Sequence, residues 1–131
     1  MKSSRILLTG AAGFIGREIH RQLADNGYII DLCDHYLAIT RNFSLMDKRF
    51  GVIYEPEMLI SDSEIVPSYD FVIHCGAISD TRNMNSDLLW GANYKTSVAL
   101  AAQAAASPTC RFIFFSSASI YGNKRCLEKR P

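Results

Sequence analysis

The stretch Thr9-Gly10-Ala11-Ala12-Gly13-Phe14-Ile15-Gly16 decides the fold class, because it places three glycines between an apolar run and a helical pattern. The run before it, Ile6 to Leu8, predicts a buried parallel strand. Apolar residues after it recur at helical spacing and predict a helix that stops near Asn26-Gly27. A glycine turn from a strand into a helix predicts a loop that binds the phosphates of a dinucleotide.

Each glycine of this loop has its own expected task. Gly10 permits the tight turn, and Gly13 lets the backbone approach a pyrophosphate without a Cβ clash. Gly16 lets the helix pack closely on the strand. The helix N-terminus, at Phe14 and Ile15, offers free N–H groups and the positive end of the helix dipole to the phosphates.

The second strand, Tyr28 to Cys33, ends at Asp34, which follows Gly10 by 24 residues. A carboxylate there can accept hydrogen bonds from the adenosine ribose hydroxyls and would repel a 2′-phosphate, which favours NAD. Arg41 follows seven residues later and could neutralise such a phosphate. The expected cofactor is therefore NAD or NADP, with the balance slightly toward NAD.

The rest of the chain continues the alternation of strands and helices. A strand, a long helix and another strand are predicted over Phe71 to Cys75, Leu88 to Ala106 and Arg111 to Ser116. A short helix and the third strand are expected between Tyr36 and Asp62, where Gly51 to Tyr54 and Met58 to Ser61 are both candidates for the strand. This predicts an α/β, Rossmann-type doubly wound parallel sheet in the order 3-2-1-4-5, truncated after about the fifth strand, within one domain spanning 1–131.

Composition narrows the class of protein. The chain has 131 residues, 48% of them hydrophobic, and a formal net charge of +1. Its scattered charge predicts no nucleic-acid surface, and no stretch approaches the length of a membrane span. Its cysteines lack metal-ligand spacing and are expected to be reduced thiols in a cytoplasmic protein; they are Cys33, Cys75, Cys110 and Cys126.

Four stretches together resemble the extended short-chain dehydrogenases/reductases, the NAD(P)-dependent epimerases and dehydratases of sugar nucleotides. They are the glycine loop, His74-Cys75-Gly76-Ala77-Ile78-Ser79, Asn93-Tyr94-Lys95-Thr96-Ser97, and the segment from Phe112 to Gly122 that contains Ser-Ser-Ala-Ser-Ile-Tyr-Gly. The second stretch, followed by Asp80-Thr81, looks most like the ADP-heptose epimerase branch. The resemblance covers nearly the whole chain but only the first part of the family's fold.

The resemblance implies further cofactor-binding residues. Gly76 and Ala77 would leave room for adenosine and pyrophosphate, and Asn93 would contact structure near the active site. Asp62 resembles the family's Asp that contacts adenine after the third strand. Only seven residues separate Asp62 from Asp70, so the intervening helix must be very short or lost. His74, after three apolar residues, is expected to be a packed strand-end residue and not a catalyst.

The resemblance also implies a catalytic residue. Ser117 would hydrogen-bond the substrate oxygen whose proton is lost as hydride leaves carbon, with Ser119 as the weaker alternative. The family's catalytic Tyr has Lys four positions later, whereas no Tyr in this chain does; Tyr121 has Arg125 there, and Arg is no simple substitute.

Three functions stay open on this basis. The chain is expected to be the NAD(P)-binding portion of a sugar-nucleotide epimerase/dehydratase-like protein, with a nucleotide-sugar as second ligand and no activity alone. It could instead be a subunit completed by another chain. The third reading is a non-catalytic, nucleotide-binding or self-associating module, paired through the sheet edge at Phe112 to Phe115.

Overall fold

The computed structural model describes residues 4–77 and 85–116. Five strands are present in it: β1 (Ile6–Thr9), β2 (Ile30–Cys33), β3 (Phe50–Tyr54), β4 (Phe71–His74) and β5 (Arg111–Phe114). The α-helices are α1 (Phe14–Asp25), α2 (Tyr36–Asn42), α3 (Pro56–Ser61), α4 (Ser86–Leu89) and α5 (Thr96–Ala105). A π-helical segment, Trp90–Lys95, joins α4 to α5.

The sheet is parallel throughout, and its strand order is β3-β2-β1-β4-β5. The predicted doubly wound order is thereby confirmed. Because the chain leaves β1 toward one side of the sheet and returns to the other side through β4, the loops after β1 and β4 meet at the carboxyl edge. The register pairs Thr9 with His74 at that edge.

Helix α1 ends where the sequence predicts, at the C-cap residue Asn26. Gly27 follows with φ of +89°, and its N–H bonds the carbonyl of Ala24, while the N–H of Tyr28 bonds that of Leu23. These are the two bonds of a Schellman motif. Since Tyr28 still belongs to that cap, β2 begins at Ile30 and not at Tyr28 as predicted.

Of the two candidates for the third strand, the segment beginning at Gly51 is the strand and Met58 to Ser61 is helical. Pro56 occupies the first turn of α3, where its missing N–H costs nothing. Gly51 has a packing reason to be glycine, because a Cβ there would lie 2.2 Å from Asp31 Oδ1. That carboxylate accepts hydrogen bonds from Val52 N, at 2.7 Å, and from the Tyr69 hydroxyl, at 2.5 Å.

The long helix predicted from Leu88 to Ala106 is interrupted. Its middle is the π-helical segment, which contains Gly91, a residue that weakens a helix. The Thr96 hydroxyl donates to the Gly91 carbonyl at 2.9 Å, and the Ser97 hydroxyl donates to the Asn93 carbonyl at 3.0 Å. Two side-chain hydroxyls thus donate to backbone carbonyls of the π-helical segment.

Apolar side chains fill both faces of the sheet. One face packs under α1 and α2, and its fully buried residues include Leu8, Ile30 and Leu32. The opposite face packs under α3 and α5 around Leu7, Val72, Leu59, Leu100 and Tyr69. Cys33, Cys75 and Cys110 are free thiols, as expected; Cys126 lies outside the described residues. No helix in the described part of the chain is long and apolar enough to cross a membrane.

Candidate functional site

The glycine loop lies at the carboxyl edge of the sheet, between the loops that follow β2 and β4. Gly10 has φ of +67°, and a Cβ on it would lie 2.6 Å from both Cys75 C and Gly76 N. The residue is therefore glycine for two reasons, the left-handed turn and the close approach of the loop after β4.

The other two glycines differ in what surrounds them. A Cβ on Gly16 would lie 2.1 Å from the Gly10 carbonyl oxygen, so α1 packs against the backbone of the loop that follows β1. A Cβ on Gly13 would meet only that same oxygen, at 3.3 Å. The outer side of Gly13 is therefore open within the described structure, and a phosphate group approaching there would meet backbone alone.

The N-terminus of α1 opens toward the same space. Gly13 is its N-cap residue and has no side chain to occupy the first-turn N–H groups. The side chains of Phe14 and Ile15 are exposed, Phe14 to 84%. The Arg17 guanidinium donates to the Ala12 carbonyl at 2.8 Å, which steadies the loop from the helix side. This cradle fits a dinucleotide pyrophosphate, because it combines free N–H donors with a helix dipole.

Asp34 is tied directly to the glycine loop. Its Oδ2 accepts the N–H of Ala12 at 2.9 Å, and its Oδ1 accepts the N–H of His35 at 2.8 Å. A carboxylate has about four lone-pair sites, so two bonds leave capacity for the ribose hydroxyls expected there. The backbone bonds hold the carboxylate in place before any ligand arrives.

A second carboxylate, Glu55, lies beside the residues that follow Asp34, and the sequence patterns did not point to it. Glu55 directly follows β3; its Oε1 accepts the N–H of Tyr36 at 2.6 Å, and its Oε2 lies 3.9 Å from His35 Nδ1. Asp62, by contrast, is the C-cap of α3 and lies one helix of six residues, about 9 Å, beyond β3. Its Oδ1 accepts the N–H of Glu64 at 3.0 Å.

Arg41, the basic residue predicted near Asp34, is in the last turn of α2, whereas the first turn of α2 follows His35 and adjoins Asp34. Arg41 is the sixth residue of this helix, so its backbone lies about 7–8 Å along the helix axis from Tyr36.

The turn after β4 completes the described site. Gly76 donates its N–H to Thr9 Oγ1 at 3.1 Å, and a Cβ on it would lie 3.2 Å from that oxygen. Ala77 is exposed, and Asn93 is half-buried in the π-helical segment. The structure thus brings Gly76 to the glycine loop, and its expected role beside the cofactor stays a prediction. Ser117 and its alternative Ser119 lie outside the described residues.

Burial shifts the pKa values of Cys33, Cys75 and His74, which lie near the carboxyl edge of the sheet. It raises the pKa of the Cys33 thiol to about 12, with Asp34 and Glu55 adding negative charge nearby, and the pKa of the Cys75 thiol to about 11. Neither thiol is a nucleophile at neutral pH. Burial lowers the pKa of His74, which keeps its ring neutral. Within residues 4–77 and 85–116, no group of His, Cys, Asp and Glu could hold a metal ion.

Comparisons with known proteins agree with this geometry. The profile described as "NAD dependent epimerase/dehydratase family" matches residues 6–130. An uncharacterized UDP-glucose epimerase, YtcB of Bacillus subtilis, is 29% identical, and the match covers 92% of this chain and 42% of the relative.

Solved structures match over a similar part of their length. The UDP-glucuronic acid 4-epimerase of Bacillus cereus, solved with NAD, is 28% identical with a TM-score of 0.73, over 92% of this chain and 42% of that one. The Helicobacter pylori ADP-L-glycero-D-manno-heptose-6-epimerase shares the fold, at 23% identity and a TM-score of 0.69, over 93% and 42%. The chain thus spans about 42% of the length of these relatives.

Proposed function

The chain belongs to the NAD dependent epimerase/dehydratase family, and on that premise we propose that it binds a dinucleotide across the carboxyl ends of β1, β2 and β4. The observation that carries this proposal is the geometry at Gly13, where a backbone without Cβ adjoins the N-terminus of α1. When bound, the cofactor supplies a nicotinamide that accepts and returns hydride.

Each part of the described site has a task in this proposal. Backbone N–H groups at Phe14 and Ile15 would hold the pyrophosphate, and Asp34 would accept the adenosine ribose hydroxyls. Gly76 and Ala77 would line the cofactor on the β4 side, and Asn93 would support the active-site end.

Isothermal titration calorimetry with NAD tests the proposal. We expect heat of binding for the natural chain and none for Gly13→Val, because the added methyl groups fill the space where phosphate meets backbone. The matched control is Gly27→Asn at the other end of α1, where an added Cβ would meet nothing within 4 Å and asparagine tolerates the left-handed conformation. Absence of heat with either NAD or NADP at millimolar concentration would reject the proposal.

We propose that NAD is preferred over NADP. Two carboxylates, Asp34 and Glu55, flank the loop at His35, and both would repel a 2′-phosphate. Arg41 lies in the last turn of α2, and we expect it not to compensate this repulsion. Competitive titration should give tighter binding of NAD, and Arg41→Ala should leave the ratio unchanged. An NADP preference that disappears in Arg41→Ala would overturn this choice.

We propose further that these 131 residues alone bind the cofactor without turning over a nucleotide-sugar. The assignment of Ser117 as the residue that orients the substrate hydroxyl rests on the resemblance. A serine is a very weak base at neutral pH, and no Tyr here has Lys four positions later. General-base help is worth about 10²- to 10⁴-fold in rate. NMR of the chain with ADP-heptose or UDP-sugars and NAD should show no turnover. Turnover that survives repurification and disappears in Ser117→Ala would reject this proposal.

A self-associating module is the second candidate, and one observation favours it. Within the described residues, β5 pairs only with β4, and it ends the sheet with Ile113, Phe114 and Phe115 at least 43% exposed. An apolar strand at a sheet edge promotes pairing with another chain. Light scattering after size-exclusion chromatography should then show a dimer or larger species, which Ile113→Lys disperses. A monomer at micromolar concentration would leave self-association without support.

A further inference from the structure

We propose that His74 is a positioning residue, held as the neutral tautomer with its proton on Nε2, that joins the glycine loop to the π-helical segment bearing Asn93. The ring would thereby fix the spacing between two sides of the proposed cofactor site. The effect on affinity rests on the proposed function, whereas the tautomer can be measured without any ligand.

A continuous chain of hydrogen bonds runs through the ring. The Gly76 N–H donates to Thr9 Oγ1 at 3.1 Å, and Thr9 Oγ1 lies 2.5 Å from His74 Nδ1. On the other side of the ring, His74 Nε2 lies 2.8 Å from Ser97 Oγ, which donates to the Asn93 carbonyl at 3.0 Å. The chain therefore begins in the turn after β4 and ends in the π-helical segment.

Proton counting determines the direction of each bond. The Ser97 hydroxyl has one proton and gives it to the Asn93 carbonyl, which has none, so Ser97 Oγ must accept from His74 Nε2–H. In a neutral ring, Nδ1 is then an acceptor and takes the Thr9 hydroxyl proton. Thr9 Oγ1 in turn accepts from Gly76. Each donor then makes one hydrogen bond. All four bonds can form together only when the ring proton is on Nε2.

The surroundings of the ring support a neutral state. The side chain is 2% exposed and packs beside the rings of Phe112 and Phe114, each with its centroid 5.8 Å away. The groups within hydrogen-bond reach are the uncharged hydroxyls of Thr9 and Ser97. Burial is the only cause found for the lowered pKa of His74, so no charged group of the described residues compensates an imidazolium there.

The position of the ring explains why positioning would matter for binding. Thr9 immediately precedes Gly10, whose backbone already approaches Gly76 too closely for any Cβ. Asn93 lies in the π-helical segment, a kind of turn that is rare and is found often at functional sites. The Ser97–His74–Thr9 link would connect this segment to the loop that holds the phosphates.

The first experiment measures the tautomer by long-range ¹H–¹⁵N correlation of the histidine rings in the natural chain. We expect a protonated Nε2 and an unprotonated Nδ1 for His74 at pH 7, with the ring more than half neutral at pH 6.5, the ordinary pKa of histidine. A proton on Nδ1, or a ring that titrates like a free histidine, would overturn the proposal, whether or not the chain binds NAD.

The second experiment is a double-mutant cycle on NAD affinity. Thr9→Val and Ser97→Ala each remove the hydrogen bonds on one side of the ring. Each should weaken NAD binding about fivefold, because a typical hydrogen bond contributes about 1 kcal/mol. Since both act through the same ring, the double variant should lose about fivefold in total, and Thr9→Ser should restore binding. Additive losses of about 25-fold would show two independent packing defects and reject the link.

A third variant separates folding from positioning. His74→Phe has neither a donor for Ser97 nor an acceptor for Thr9, so it should bind NAD about as weakly as Thr9→Val does. The same Thr9→Val change made in His74→Phe should then cause no further loss. If the natural chain shows the expected tautomer but binds no NAD, the proposed function fails and the assignment of the ring proton stands.

Discussion

The two sides of the site are constructed in opposite ways. The glycine loop requires residues without a side chain, because a Cβ at Gly10 or Gly16 would overlap backbone atoms. The side under α5 depends on polar side chains that are present, because Thr9, His74 and Ser97 are joined in one hydrogen-bonded series. A steric requirement of this kind leaves a visible motif in the sequence, whereas a series of ordinary polar residues does not.

The difference also predicts different responses to perturbation. Substitutions in the glycine loop act through overlap with backbone, which has little freedom to relax. Changes in the His74 series act through protonation and hydrogen bonding, so they depend on pH. The two sides can therefore be distinguished by experiment.

The largest effect should come from Gly10→Ala, compared with Gly27→Ala. Both glycines have positive φ, at +67° and +89°, but only at Gly10 would a Cβ meet backbone atoms, at 2.6 Å. The left-handed conformation costs roughly 1–2 kcal/mol in either case, and overpacking adds about 1–3 kcal/mol at Gly10 alone. Urea denaturation should show the larger loss for Gly10→Ala. Equal losses would contradict the close approach of the two loops.

A smaller effect is expected from Asp34→Asn on NAD affinity, with Asp62→Asn as its matched control. Removing the charge weakens hydrogen bonds that are each worth about 1.5–3 kcal/mol, so the dissociation constant should rise about tenfold or more. Asp62 lies beyond α3, and its replacement should change the constant less than about twofold. Calorimetry on both variants checks this, and a larger loss for Asp62→Asn would favour the adenine contact implied by the resemblance.

The smallest effect should be the pH dependence that His74 adds to stability. Because its pKa is lowered in the folded chain from an ordinary value of 6.5, the unfolded chain binds the proton more readily. Stability is therefore highest above pH 6.5 and falls as the pH drops through this value toward the folded pKa. Thermal melts between pH 7.5 and 5.0 should show the decline, which His74→Gln should reduce.

A control for that experiment is His35→Gln, which removes an exposed imidazole and should leave the decline in place. The surface carboxylate Glu18 does not titrate in melts above pH 5, because the neighbouring Arg21 and Gln22 hold its pKa at about 2. An unchanged decline in His74→Gln would assign the pH dependence to another group.

Local patterns in the sequence predicted much of the fold. The strand before Gly10, the helix from Phe14 to its cap at Asn26, and the sheet order are confirmed because each follows from short-range periodicity and glycine placement. The third strand could not be chosen by periodicity. Its place depends on pairing with β2 and on the contact between Gly51 and Asp31, which lies 20 residues earlier in the chain.

The sequence by itself determined that a glycine loop joins β1 to α1, that an acidic residue ends β2, and that the sheet is doubly wound. Only the tertiary structure decided that Glu55 bonds the backbone of Tyr36, two residues after Asp34, because this depends on where β3 ends. The same holds for His74, whose partners are 65 and 23 residues away along the chain. A hydrogen bond between distant residues follows from the packing of strands and helices, and no local pattern encodes it.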